Sequence, residues 1–311
     1  MYNIYKLDNG IRVLTNRIDH LRSAAIGVWV RCGSVNESIE DSGISHFIEH
    51  MMFKGTQGRT AKDIASEMDN IGGQLNAFTS KECTCYYAKV IDEHLYTGMD
   101  ILSDMFFNST FDEEEINKEL SVVHEEIDMY EDSPEDLCYD LLSKEAFSGH
   151  SLGRPILGTH ESIDTINREK IIEYMKENYT ADNVVISVAG SFDEEELKNK
   201  LNEFFGSKDI EKEAKNQLKA APEYSGGYIY SNKDIEQIHL GITFKGMHNR
   251  SELIYPLYIF NNVFGGSMSS RLFQKIREEN GLAYSVYAHP TTAQINYLKT
   301  IYLSLNPSQL F

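Results

Sequence analysis

Two histidines and a glutamate stand close together in the run His46-Phe47-Ile48-Glu49-His50. At ~100° per residue of helix, His46, Glu49 and His50 fall within an arc of roughly 100°. Ile44, Phe47, Ile48, Met51 and Met52 fall on the opposite side. The segment is therefore predicted to be a helix with one face for packing and one for chemistry. Asp41 or Ser42 is expected to cap its start, and Gly55 to end it. Two imidazoles at i and i+4 can reach one Zn²⁺, and a carboxylate beside them can take a proton from an attacking water.

A catalytic zinc takes three protein ligands and keeps a fourth position open. The acidic stretch from Asp112 to Glu131 reads as a helix that offers several carboxylates. Its apolar stripe is Ile116, Leu120, Val123, Ile127 and Tyr130. Relative to that stripe Glu119 and Glu126 lie at about −60° and −80°, and Glu125 at about 180°. Glu119 and Glu126 border the buried side and remain as candidates, whereas Glu125 points to water.

Other elements must bring these faces together. Leu7 to Leu14 reads as a hairpin turning at Asn9-Gly10. Ala24–Arg31 is a nearly continuous apolar strand, expected in the middle of a sheet. A helix is predicted over Ala61–Ile71, then two strands, Gln74–Thr79 and Cys83–Val90, paired across a short turn. Helices follow near Glu93–Phe107 and Asp112–Glu131, with another starting after Ser133-Pro134. A buried strand at Val184–Gly190 and a helix at Glu194–Phe205 close this part. Gly206 to Ala221 is charged and meets Pro222, which suggests a linker. Strands at Gly227–Tyr230 and Gln237–Phe244 and a helix at Leu253–Phe264 then repeat the opening order, as an internal duplication would.

The 311 residues suffice for two domains, 1–215 and 222–311. A net charge of −19 argues against general nucleic-acid binding, since no basic stripe is available to release counterions. No apolar run approaches the length of a membrane span. The chain begins as a strand, without a signal-peptide h-region. Cys32, Cys83, Cys85 and Cys138 show no paired C-x-x-C spacing and read as reduced thiols, which points to the cytoplasm.

The order H-x-x-E-H inverts the common zinc-peptidase motif. The chain resembles the pitrilysin, insulysin and mitochondrial processing peptidase family of inverted zinc peptidases, and its bacterial processing-peptidase-like members in particular. His46 to His50, continued by Met51-Met52-Phe53-Lys54-Gly55-Thr56, matches the family's metal motif. Gly73-Gln74-Leu75-Asn76-Ala77-Phe78-Thr79, with Glu82, Thr84 and Tyr86-Tyr87, matches its substrate-strand motif. Glu119 to Glu126 matches its acidic helix, with 75 residues between His50 and Glu126. Gly265 to Phe273, leading into Arg277-Glu278-Glu279-Asn280-Gly281-Leu282-Ala283-Tyr284, matches its second half.

The resemblance implies His46, His50 and Glu126 as ligands of one Zn²⁺ per chain, with Glu119 supporting them and Glu49 as general base. It implies that Asn76 and Ala77 lie on an edge strand that pairs with an extended peptide. It also implies that Arg277 and Tyr284 orient the substrate and stabilise the oxyanion. The expected fold is α+β: two related sheet-plus-helix domains forming half of a clamshell. The second reads as incomplete, since it spans only 222–311 and Ile301 to Pro307 resembles a mid-domain strand. The expected activity is zinc-dependent endopeptidase on extended peptides or presequence-like segments. The partners would be peptide only, with neither nucleic acid nor membrane, and a second copy as a homodimer if the second domain is complete. The rivals are a non-catalytic scaffold subunit of the same family and a zinc-storage protein, which would have no use for Glu49.

Overall fold

A computed structural model of the chain describes residues 2–215, 223–292 and 297–307. They form two compact units: Met1–Glu126 with Ile156–Leu218, and Ile127–Pro155 with Lys219–Phe311. In the first unit β1 (Tyr2–Lys6) and β2 (Arg12–Arg17) form the hairpin, with Gly10 at a φ of +98° that favours glycine. Then come β3 (Ser23–Val30), α1 (Ile44–Met51), α2 (Ala61–Asn70), β4 (Gln74–Thr79), β5 (Thr84–Ile91) and α3 (Leu95–Asn108). Next is α4 (Glu113–Asp132), which clusters with this unit as far as Glu126, followed by α5 (Pro134–Ala146). The short α6 (His160–Ile163), α7 (Arg168–Asn178), β6 (Val184–Gly190) and α8 (Glu194–Leu201) complete the first unit.

Its six strands are ordered β1-β2-β6-β3-β5-β4. The apolar β3 is central, antiparallel to β6 on one side and β5 on the other; Ala24, Ile26, Val28 and Val30 are buried on one face, whereas Ala25 and Trp29 on the other remain exposed. Helix α1 packs against β4 and β5. Ile44, Phe47, Ile48, Met51 and Met52 are all essentially inaccessible to solvent, as their helical spacing requires.

The start of α1 differs from expectation. Neither Asp41 nor Ser42 caps it; the N-cap is Gly43, at φ +93°. The free amides of Gly43 and Ser45 are taken by the fully buried Glu37 carboxylate, at 2.8 and 3.0 Å. A longer-range carboxylate thus performs the capping, and its charge suits the positive end of the helix. The helix also ends earlier than read, at Met51, with Gly55 in the loop beyond. In α4, Ile116, Val123 and Ile127 are buried, whereas Tyr130 is exposed.

The second unit holds α5, β7 (Ile238–Lys245), α9 (Ile254–Phe264), β8 (Ala283–Thr292) and β9 (Tyr297–Leu305). Its sheet runs β7-β9-β8, both pairs antiparallel. This repeats β3-β5-β4 of the first unit, with a helix again following the first strand. Residues Ile127–Pro155 interrupt the continuous 1–215 domain read from the sequence. The physical reason is the packing of α5 on β7. Gly241 permits that approach, since a Cβ there would lie 2.4 Å from Leu142 Cδ1 and 2.9 Å from Cys138 Sγ. The strand expected at Gly227–Tyr230 does not form. Residues 216–222 of the expected linker lie outside the described residues. The four cysteines are free, and among the described residues no helix is long and apolar enough to cross a membrane.

Gly43 tests the entry to α1. An added Cβ would meet Leu157 O at 2.5 Å and Ile163 Cδ1 at 2.7 Å, at a φ that disfavours side chains. Gly43→Ala should lower unfolding stability by at least roughly 1–3 kcal/mol in urea titrations. A variant as stable as the parent would mean that this turn relaxes freely.

Candidate metal centre

His46 and His50 are one turn apart on α1, with ring centroids 4.5 Å apart. Glu126, on α4, comes to meet them. Its Oε2 lies 3.7 Å from His46 Nε2 and 3.5 Å from His50 Nε2. One donor atom from each of the three falls within 4.8 Å of the others. Two imidazole nitrogens and a carboxylate oxygen are donors that suit Zn²⁺.

The wheel reading of α4 is matched by the burial of its carboxylates. Glu119 is buried (3% exposed), Glu126 half-buried and Glu125 exposed. Glu119 does not join the triangle but stands behind it. Its Oε1 accepts a hydrogen bond from His50 Nδ1 at 2.8 Å, and its Oε2 is held by Lys54 Nζ. A carboxylate only accepts, so His50 donates from Nδ1, which leaves Nε2, facing Glu126, as the nitrogen that must be free of its proton to bind a metal.

The electrostatics separate the two histidines. Burial, aided by the neighbouring His50, pushes the His46 pKa down to about 3, so this ring stays neutral. Burial also opposes charge on His50, but the Glu119 hydrogen bond and the charges of Glu126, Glu119 and Glu49 prevail, raising its pKa. For Glu119 burial is outweighed by its bonds from His50 and Lys54, which lower its pKa. Three carboxylates, Glu49, Glu119 and Glu126, stand against one ammonium, Lys54. A divalent cation would balance the two remaining charges, and on both donor type and charge the residues fit Zn²⁺.

Glu49 shares the chemical face of α1. Burial raises its pKa, against the lowering effects of a hydrogen bond from Thr79 and the charge of His50. Thr79 Oγ1 donates to Glu49 Oε2 at 2.5 Å. Thr79 ends β4, an edge strand, on which Asn76 and Ala77 also lie. The Asn76 carboxamide oxygen takes the Ala77 N–H at 2.8 Å, keeping that donor from standing bare at the edge. Arg277 and Tyr284 belong to the second unit. The guanidinium lies 5.2 Å from the Tyr284 ring centre and 4.8 Å from that of Phe273, and the Tyr284 ring is 76% exposed. Lys54 and Thr79 were within quoted motifs but carried no role in the sequence reading. Their partners lie 65 and 30 positions away, at a separation that helical or strand periodicity cannot relate.

Residues 12–160 match the family model described as insulinase (peptidase family M16), and residues 165–310 match that of the peptidase M16 inactive domain. An uncharacterized zinc protease of Bacillus subtilis, YmxG, is 49% identical over 310 residues, covering 100% of this chain and 75% of the relative. The chain belongs to peptidase family M16. A Rickettsia bellii M16 relative, also named an uncharacterized zinc protease, is 40% identical over 97% of this chain and 73% of its own. The M16 fold is matched further by a protease from Helicobacter pylori, at a TM-score of 0.90 and 20% identity, over 99% of this chain and 75% of that one.

Two measurements probe the M16 metal centre. Zinc must displace the His50 proton, because His46 is already neutral. Apparent zinc affinity should therefore fall as pH drops through a point above the ordinary histidine value of 6.5, about tenfold per pH unit below it. A decline that began only near pH 3–4 would contradict this. In chelator competition Glu126→Gln should lose most affinity, Glu119→Gln about 10–100-fold, and Glu125→Gln almost none. Glu125→Gln as the most damaging change would refute the placement.

Proposed function

We propose that this chain is a zinc-dependent endopeptidase that hydrolyses extended peptides or presequence-like segments. The observation that carries the reading is Glu49, a half-buried carboxylate with raised basicity on the same helical face as His46 and His50. Zinc storage or a scaffold role would have no need of it.

His46, His50 and Glu126 would hold Zn²⁺, which supplies Lewis acidity that polarises the scissile carbonyl and acidifies the attacking water. Glu49 accepts the proton as the water oxygen bonds to the carbonyl carbon. It then delivers that proton to the leaving nitrogen as the C–N bond breaks, so the carboxylate ends as it began. The peptide would lie as an added strand along the edge of β4, where Asn76 and Ala77 meet its main chain and favour backbone over side-chain recognition. Arg277 and Tyr284 would contribute donors to the carbonyl oxygen as it gains charge. With four free thiols the chain suits a reducing compartment, and we place it in the cytoplasm.

Glu49→Gln separates chemistry from metal binding. Zinc content should remain near one per chain while turnover of a fluorogenic peptide falls by about 10²–10⁴-fold. Turnover at the parent rate would remove Glu49 from the mechanism.

A further inference from the structure

Strand β4 carries a second function besides its free edge. Thr79, its last residue, donates its only hydroxyl proton to Glu49 Oε2. The hairpin that follows is tightly fixed. Ser80 N–H donates to Cys83 O at 2.8 Å, and the Ser80 hydroxyl accepts from Cys83 N at 3.0 Å. Across the ladder Thr79 faces Thr84, which is fully buried and donates to Cys32 O at 3.0 Å. Thr79 is thus placed beside this hydrogen-bonded turn and opposite Thr84, while its side chain reaches the helix that bears the candidate base.

A glutamate carboxylate rotates freely about its last torsion unless something holds it. Thr79 holds one oxygen, and the other is then the one left to accept a proton. The same strand carries Asn76 and Ala77, so the seat of the peptide and the tether of the base share one rigid segment.

We propose that Thr79 is a positioning residue that ties the aim of the Glu49 carboxylate to strand β4, so that the bound peptide and the base are set in register by a single element. This rests on the peptidase reading of the site. Thr79 is not assigned to touch the substrate; it acts through Glu49.

Thr79→Val preserves shape and removes the hydroxyl, whereas Thr79→Ser preserves the hydroxyl. Thr79→Val should lower kcat by about 10–100-fold, with KM within about 2-fold and zinc content unchanged. Thr79→Ser should recover kcat to within about 3-fold. A second measurement needs neither zinc nor turnover. In the metal-free protein Thr79→Val should lower the urea midpoint of unfolding in the parent, and leave it unchanged in a Glu49→Ala background. Unchanged kcat in Thr79→Val, or Thr79→Ser as impaired as Thr79→Val, would overturn the proposal. So would equal midpoint shifts in both backgrounds, which would mark Thr79 as packing alone. If the parent cleaves no peptide, the peptidase reading fails, while the metal-free cycle still decides whether Thr79 and Glu49 are coupled.

Discussion

A buried carboxylate, Glu119, accepts from a histidine on one oxygen and from a lysine on the other, and the rest of the site depends on it. His50 lies on α1 and Lys54 in the turn just beyond it, whereas Glu119 belongs to α4. The bond fixes three properties at once: the rotation of the His50 ring, the nitrogen that carries its proton, and the registry of the two helices. With that registry set, Glu126, two turns further along α4, faces the two Nε2 atoms. Burying Glu119 without its two partners would cost several kcal/mol, so the arrangement of the helices and the basicity of the ligands are decided together.

The other end of α1 is held by the same kind of device. Glu37 is a fully buried carboxylate that satisfies the amides of Gly43 and Ser45. Along the length of the helix, Ser45 shares a hydrogen bond with the buried Tyr174 hydroxyl of α7, which also contacts Cys32 beyond β3. Among the described residues His46 has no carboxylate behind it, and its Nδ1 is buried without a hydrogen-bond partner. Its orientation therefore comes from the way α1 is packed and capped, whereas that of His50 comes from a direct charged bond. Two ligands on one helix are positioned by two different means.

Much of this was legible in the sequence because periodicity is local. The chemical face of α1, the contrast between Glu119 and Glu125 on α4, the central β3 and the β4–β5 hairpin all follow from spacings of two or of three and four residues. What escaped the sequence was non-local. Glu37 as a cap requires knowing how the chain turns between 37 and 45, and Asp41 and Ser42 were nearer and equally suitable by type. Thr79 looked like an ordinary strand residue, since nothing in its neighbours names Glu49. Gly227–Tyr230 reads as a strand but has no partner among the described residues, and nothing local to α5 says which sheet it would pack on.

The repeated strand order, β3-β5-β4 in one unit and β7-β9-β8 in the other, has a consequence for descent. The helix after β3 bears His46, Glu49 and His50, while the helix after β7, Ile254–Phe264, bears no histidine, cysteine or acid. The same framework therefore stands with the metal-binding side chains and without them, supported in each case by backbone pairing and apolar burial. Such a framework can be kept without the reaction centre where the ligands and the buried carboxylate behind them are absent together. A surviving shape is therefore weak testimony to a surviving reaction.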